Sequence, residues 1–225
     1  PSSGTHTPQV NAGFAGSPTF TSYFKRTDGS DISLNTTTSY SGKQGTYFWA
    51  GEDHDASTTP TTTGELNLVW DGINISGKTG LSFQGLFGAN SENGSWDNFN
   101  TGSGATGFGI FTGTSNDYLI VDYAIDGGAY TQLMAFYSDD IVGPIGTSKR
   151  FLEDTNGDFI GDGTILTKTF TNITKTISGT GSILKLRIRV YSNGGSEEWA
   201  IDNFRLFEGA NTCTLTVSAG TSTPS

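Results

Sequence analysis

Between positions 153 and 163 the chain places oxygen-bearing side chains at alternating positions and breaks them with glycines: Asp154, Asn156, Asp158 and Asp162, with Gly157, Gly161 and Gly163. Ca²⁺ takes carboxylate and carbonyl oxygens, and a D-x-N-x-D loop supplies them from one short segment while glycine permits the tight turn. An EF-hand would add a bidentate Glu and flanking helices. Here the flanks read as strands, so the spacing predicts a calcium loop outside a helical hand. The alternative is a solvated acidic turn, because Asp, Asn and Gly are also ordinary turn residues. A second acidic group, Glu52, Asp53, His54 and Asp55, follows an aromatic run. Its crowded carboxylates repel unless a cation or solvent screens them. With Asp202 from the last strand-like run they form a second expected calcium site, set against the alternative of a solvated charge run. Two histidines and one cysteine in the whole chain make a closed zinc site hard to assemble.

A different chemistry is suggested by Trp96, Asp97 and Asn98, which lie between glycine-rich stretches. A sugar offers an apolar ring face to an aromatic side chain and hydroxyls to short polar ones, so an exposed Trp beside Asp and Asn reads as a glycan platform. Tyr23, Tyr137 and Tyr191 are further ligand-binding candidates at strand ends, whereas Trp49, Trp70 and Trp199 sit in apolar alternation and read as core. Lys185, Arg187 and Arg189 alternate with Leu184, Leu186, Ile188 and Val190. Same-face residues on a strand repeat every about 6.5 to 7 Å, which would give a linear cationic track for sulfate or carboxylate groups. Pairing of that row with acidic neighbours is the alternative. For glycosidic hydrolysis the glutamates of interest are Glu52, Glu65, Glu197 and Glu198. Adjacent residues of an extended strand point to opposite faces, so Glu197 and Glu198 would not flank one bond. Neither a nucleophile elbow, a His-Glu-x-x-His helix nor a phosphate loop is present.

These residues must be positioned by strands. Glycine is abundant at 32 residues, 15% of residues are charged, and no amphipathic helical repeat of useful length occurs. Runs 66–70, 81–87, 118–125, 130–137, 184–190 and 199–207 read as strands, with 118–137 forming a hairpin around Asp126, Gly127 and Gly128. The expected fold is all-β: a two-sheet antiparallel β-sandwich of jelly-roll type, with 1–210 as one module and 211–225 as a linker or the start of a next module. A formal net charge of −10 disfavours nucleic-acid binding, and no run of about 18 apolar residues spans a membrane. The opening Pro1, Ser2, Ser3 and Gly4 lack the features of a signal peptide, as expected of an excised module or mature segment.

Several segments in order, 47–55, 72–77, 122–128, 158–164 and 197–203, resemble a β-jelly-roll module of secreted multidomain proteins of marine and gliding Bacteroidetes. The closing Ala200-Ile201-Asp202-Asn203-Phe204 resembles the last strand of MAM-like, cleaved-adhesin-like and carbohydrate-binding jelly rolls, where the corresponding acid commonly helps to hold a structural calcium. The resemblance implies fold and secretion more than ligand. The expectation is a secreted, calcium-stabilised, non-catalytic carbohydrate-binding module, joined to other modules of its polypeptide and directed at an extracellular polysaccharide, an anionic algal one in the cationic-track version. The alternative is an adhesin or spacer domain that makes protein contacts.

Overall fold

The alternation in 118–125 and 131–138 produces the expected hairpin: Tyr118 lies opposite Tyr137 and Ile120 opposite Ala135. Asp126 and Gly127 at its turn both have positive φ, 49° and 75°, a conformation Asp and Gly tolerate, and Gly128 N donates to the Ile125 carbonyl at 2.9 Å to close the turn. In this computed structural model the described residues are 9–11 (backbone only), 23–32, 39–54, 65–91, 96, 117–139, 150–192 and 196–209.

These residues form β1 (Gln9–Asn11), β2 (Tyr23–Thr27), β3 (Phe48–Glu52), β4 (Leu66–Asn74), β5 (Ser82–Ala89), β6 (Tyr118–Ile125), β7 (Thr131–Ser138), β8 (Phe151–Glu153), β9 (Thr171–Thr176), β10 (Ile183–Tyr191) and β11 (Trp199–Phe207), with no helix among them. Six strands make one sheet in the order β1-β4-β10-β6-β7-β8, and five make the other in the order β2-β3-β11-β5-β9. All neighbouring strands are antiparallel. Successive strands β3, β4, β5 and β6 alternate between the sheets, and β9, β10 and β11 return between them. The central quartets β4-β10-β6-β7 and β3-β11-β5-β9 are the interleaved order of a jelly roll, confirming the predicted fold class.

The core between the sheets takes Leu184, Leu186, Ile188 and Val190 from β10, Leu119 and Val121 from β6, Phe83 and Phe87 from β5, and Trp199 and Ile201 from β11. Apolar surface also collects on both outer faces. Tyr23, Ile32, Tyr40, Phe48, Ala50, Phe170 and Ala200 pack on the five-stranded sheet. Tyr118, Ile120, Ala135 and Tyr137 pack on the six-stranded one, with Phe159 and Tyr191 against them. Each sheet is therefore shielded over part of its outer face too, and those faces hold the polar groups of interest.

Candidate functional site

On the outer face of the six-stranded sheet, β10 lies between β4 and β6, so each of its outward cations has an acid within reach. Arg187 stands directly opposite Asp122 on β6. Its Nε and Nη2 donate to Asp122 Oδ2 at 3.1 and 2.6 Å. Arg189 Nε donates to the same oxygen at 2.8 Å, and its Nη1 donates to Glu65 at 3.2 Å. Tyr118 also donates its hydroxyl to Glu65. Lys185 pairs with Asp71 at 2.6 Å; each partner favours the other's charged form, which raises the ammonium pKa and lowers the carboxyl pKa.

The expected cationic track is thus corrected: Lys185, Arg187 and Arg189 do share a face, but Asp71, Asp122 and Glu65 balance them. Arg187 also stands over the Tyr130 ring, with its guanidinium carbon 3.7 Å from the ring centroid, a contact the sequence does not announce. Tyr130 is 38% exposed. Nothing in the sequence pairs the two: Tyr130 stands 57 residues before Arg187, and β6 lies between β7 and β10. Tyr23, Tyr137 and Tyr191, the other expected contacts, are turned to structural use, Tyr23 being fully buried on the five-stranded sheet. Tyr137 is buried and meets Phe159 edge-on, and half-buried Tyr191 stacks on Tyr118.

Trp96 is not a platform. It is fully buried, stacks on Phe151 with centroids 4.0 Å apart, and donates its indole N–H to the Asn90 carbonyl at 2.9 Å. Burial of the large ring with its one donor satisfied outweighs the tendency of a glycine-rich segment to stay at the surface. Asp97, Asn98 and Asp55 lie outside the described residues.

In the acidic loop the carboxylates are directed at backbone N–H groups. Asp154 accepts from Asn156 N, Gly157 N and Phe159 N at 2.7 to 3.2 Å. Asp158 accepts from Ile160 N and from the Asn156 amide, and Asp162 from Thr155 N and Oγ1. The Thr155 bonds hold Asp162 below the ordinary carboxylate range. Gly161 is needed because a Cβ there would run into the Tyr137 carbonyl and Leu152. This is the geometry of successive Asx turns folded onto β7 and β8.

The other acids part company. Trp199 lies opposite Gly51 and Ala200 opposite Ala50, so the ladder of β3 and β11 sets Glu198 across from Glu52 and puts Asp202 across from position 48. Asp202 is therefore about 13 Å along the strand from Glu52, not beside it; it accepts from Gln44 N at 2.7 Å, and burial raises its pKa. The expected union of Asp202 with Glu52 and Asp53 is thereby corrected. Glu52 and Glu198 are each 0% exposed. Tyr23 of β2 is the cross-strand neighbour of Glu52, and Lys168 Nζ stands 3.4 Å from Glu198. Burial first, and then the charge of Glu198, push the Glu52 pKa up to about 9. His54 lies against the core aromatics: its Nε2 accepts from Trp199 Nε1 at 3.3 Å, and burial lowers its pKa to about 3. Gly51 makes room for that contact, since a Cβ there would overlap both rings. Among the described residues, no three His, Cys, Asp or Glu side chains converge as a ready-made metal site. Among them, too, no helix is long and apolar enough to cross a membrane.

No protein family matches the chain, and no curated protein is similar to it. Among solved structures it is similar to a glycoside hydrolase family 43 arabinoxylan arabinofuranohydrolase from Bacillus subtilis in complex with cellotetraose, with TM-score 0.39 and 7% identity over 83% of this chain. The match spans 24% of that enzyme's length. It is similar also to a family 16 carbohydrate binding module, with TM-score 0.32 and 12% identity over 73% of this chain and 79% of the other. A third similar structure is the K1 cleaved adhesin domain of Lys-gingipain from Porphyromonas gingivalis W83, with TM-score 0.39 and 11% identity over 90% and 99% of the two chains. Likeness at this level says nothing of ligand or activity.

Proposed function

We propose that this chain is a non-catalytic, secreted carbohydrate-binding module that holds its parent protein on an extracellular polysaccharide, with calcium as a structural ion. The observation that carries the proposal is Tyr130, an exposed aromatic ring braced by Arg187 beside the Lys185–Asp71 pair. A sugar ring stacks on such an aromatic surface while the neighbouring ammonium donates to its hydroxyls and the carboxylate accepts from them. The stacked guanidinium also limits the motion of the ring, which lowers the entropy lost on binding. Because three acids balance the three cations of the row, the face favours a neutral glycan over a sulfated or carboxylated one.

Affinity electrophoresis against neutral, carboxylated and sulfated polysaccharides tests this. Retardation by a neutral polysaccharide is expected, weakened roughly tenfold in Tyr130→Ala, equivalent to about 1.4 kcal/mol. Retardation that Tyr130→Ala leaves untouched would remove the site, and no retardation by any polysaccharide would favour the adhesin or spacer function. That second function has its own observation. Ile183 and Phe207, each 41% exposed, stand at the same end of the sandwich, where the 75–81 connection joins β4 to β5. An apolar end of that kind suits contact with another module.

A further inference from the structure

We propose that Glu52 and Glu198, opposed across β3 and β11 on the outer face of the five-stranded sheet, form a calcium site. This deepens the calcium part of the proposed function, replaces Asp202 by Glu198 as the partner of Glu52, and is independent of whether Tyr130 binds glycan.

Directly opposed residues in an antiparallel pair have Cβ atoms about 4.5–5.5 Å apart, and Ca²⁺ binds oxygen at about 2.3–2.6 Å, so both carboxylates can reach one ion. Both glutamates are sealed from solvent at 0% exposure. Among the described residues, neither oxygen of Glu52 has a hydrogen-bond donor in bonding geometry, although the Tyr23 phenol faces it. A buried carboxylate served by no closer donor than the Tyr23 phenol is costly, and a second carboxylate directly opposite adds to that cost. The charged groups acting most strongly on Glu52 are Glu198, Asp53 and Glu197, all acids. Lys168 contributes one positive charge, directed at Glu198. A divalent cation between the two opposed carboxylates would screen their repulsion and bind the Glu52 oxygens.

The donors converging here are oxygens, which suits a hard cation. His54 does not join them, because its Nε2 is engaged by Trp199. With two carboxylate ligands, and backbone carbonyls or water completing the shell, the affinity belongs with the weak calcium sites of extracellular modules, on the order of 10⁻⁴ to 10⁻³ M.

Thermal unfolding in EDTA, in calcium and in magnesium tests the site. At about 10 mM calcium the melting temperature of the unaltered protein is expected to rise by about 3–10 °C, with a smaller response to magnesium. Glu52→Gln should abolish the calcium response while being at least as stable as the parent in EDTA, so that the two proteins change order of stability when calcium is added. Asp158→Asn should keep the full response, since its carboxylate belongs to the separate acidic loop. No calcium response in the parent protein, an undiminished response in Glu52→Gln, or a response lost only in Asp158→Asn would each overturn the proposal. Should Glu52→Gln fail to fold, terbium luminescence of the unaltered protein decides: emission sensitised by Tyr23 and displaced by calcium is expected, and its absence overturns the site.

Discussion

Trp96 and His54 show how burial reassigns a side chain that looks available. Surrounding glycines give Trp96 the sequence setting of an exposed sugar platform, yet its ring stacks on Phe151 inside the core. Trp96→Ala is therefore expected to destabilise the domain by about 3–5 kcal/mol in denaturant unfolding, as removal of a large core side chain does, rather than to abolish binding selectively. His54 is held neutral by burial, its pKa lowered to about 3. A base with a depressed pKa in the folded state contributes stability above its unfolded pKa of about 6.5 and loses that contribution as pH falls toward the folded value. The histidine's contribution should lower the melting temperature on acidification between about pH 6.5 and 3, and this component of the slope should be absent from His54→Gln. A variant with the parent's slope would show that His54 does not carry it. Glu52 acts in the opposite sense. With no calcium bound, its raised pKa adds stability as pH falls from about 9, so the comparison of variant with parent is made in EDTA, where the difference between them isolates the histidine.

At the scale of the strand, β10 makes the clearest contrast between what alternation predicts and what pairing adds. The period of two correctly assigns Leu184, Leu186, Ile188 and Val190 to the core and Lys185, Arg187 and Arg189 to the opposite face. It does not reveal the acids that meet those cations, because Asp122 is 65 residues before Arg187 and Glu65 is 124 before Arg189. Asp122 sits almost fully buried and accepts from both arginines. Removing one member of such a buried network leaves the others uncompensated. Asp122→Ala should cost about 3–5 kcal/mol by chemical denaturation and release Arg187 from its fixed position against Tyr130. Should the variant unfold at the parent's midpoint, the network is a surface feature of little energetic weight. The acidic loop teaches a related lesson. Its D-x-N-x-D spacing serves calcium ligation and Asx turns equally well, and the backbone N–H groups of the folded loop occupy the carboxylates.

Over the whole molecule, a net charge of −10 meets an outer face whose cations are already balanced. Glycan retention should therefore change little between low salt and about 0.5 M salt, where interactions between exposed charges are screened. Strong retention that salt abolishes would restore an anionic ligand. The sequence by itself determined the class of the fold and the core-facing side of its strands: glycine-rich turns, two-residue periodicity and the absence of helical repeats are local properties, and local sterics and hydrophobic pattern fix them. It also marked the groups that carry charge. Only the tertiary structure decided the interleaved strand order, the neutralisation of the arginine row, the stack of Arg187 on Tyr130, and the meeting of Glu52 with Glu198 rather than with Asp202. Each of these depends on the register between strands distant in the chain. A shift of register leaves the alternation within every strand intact while changing which side chains face each other across it.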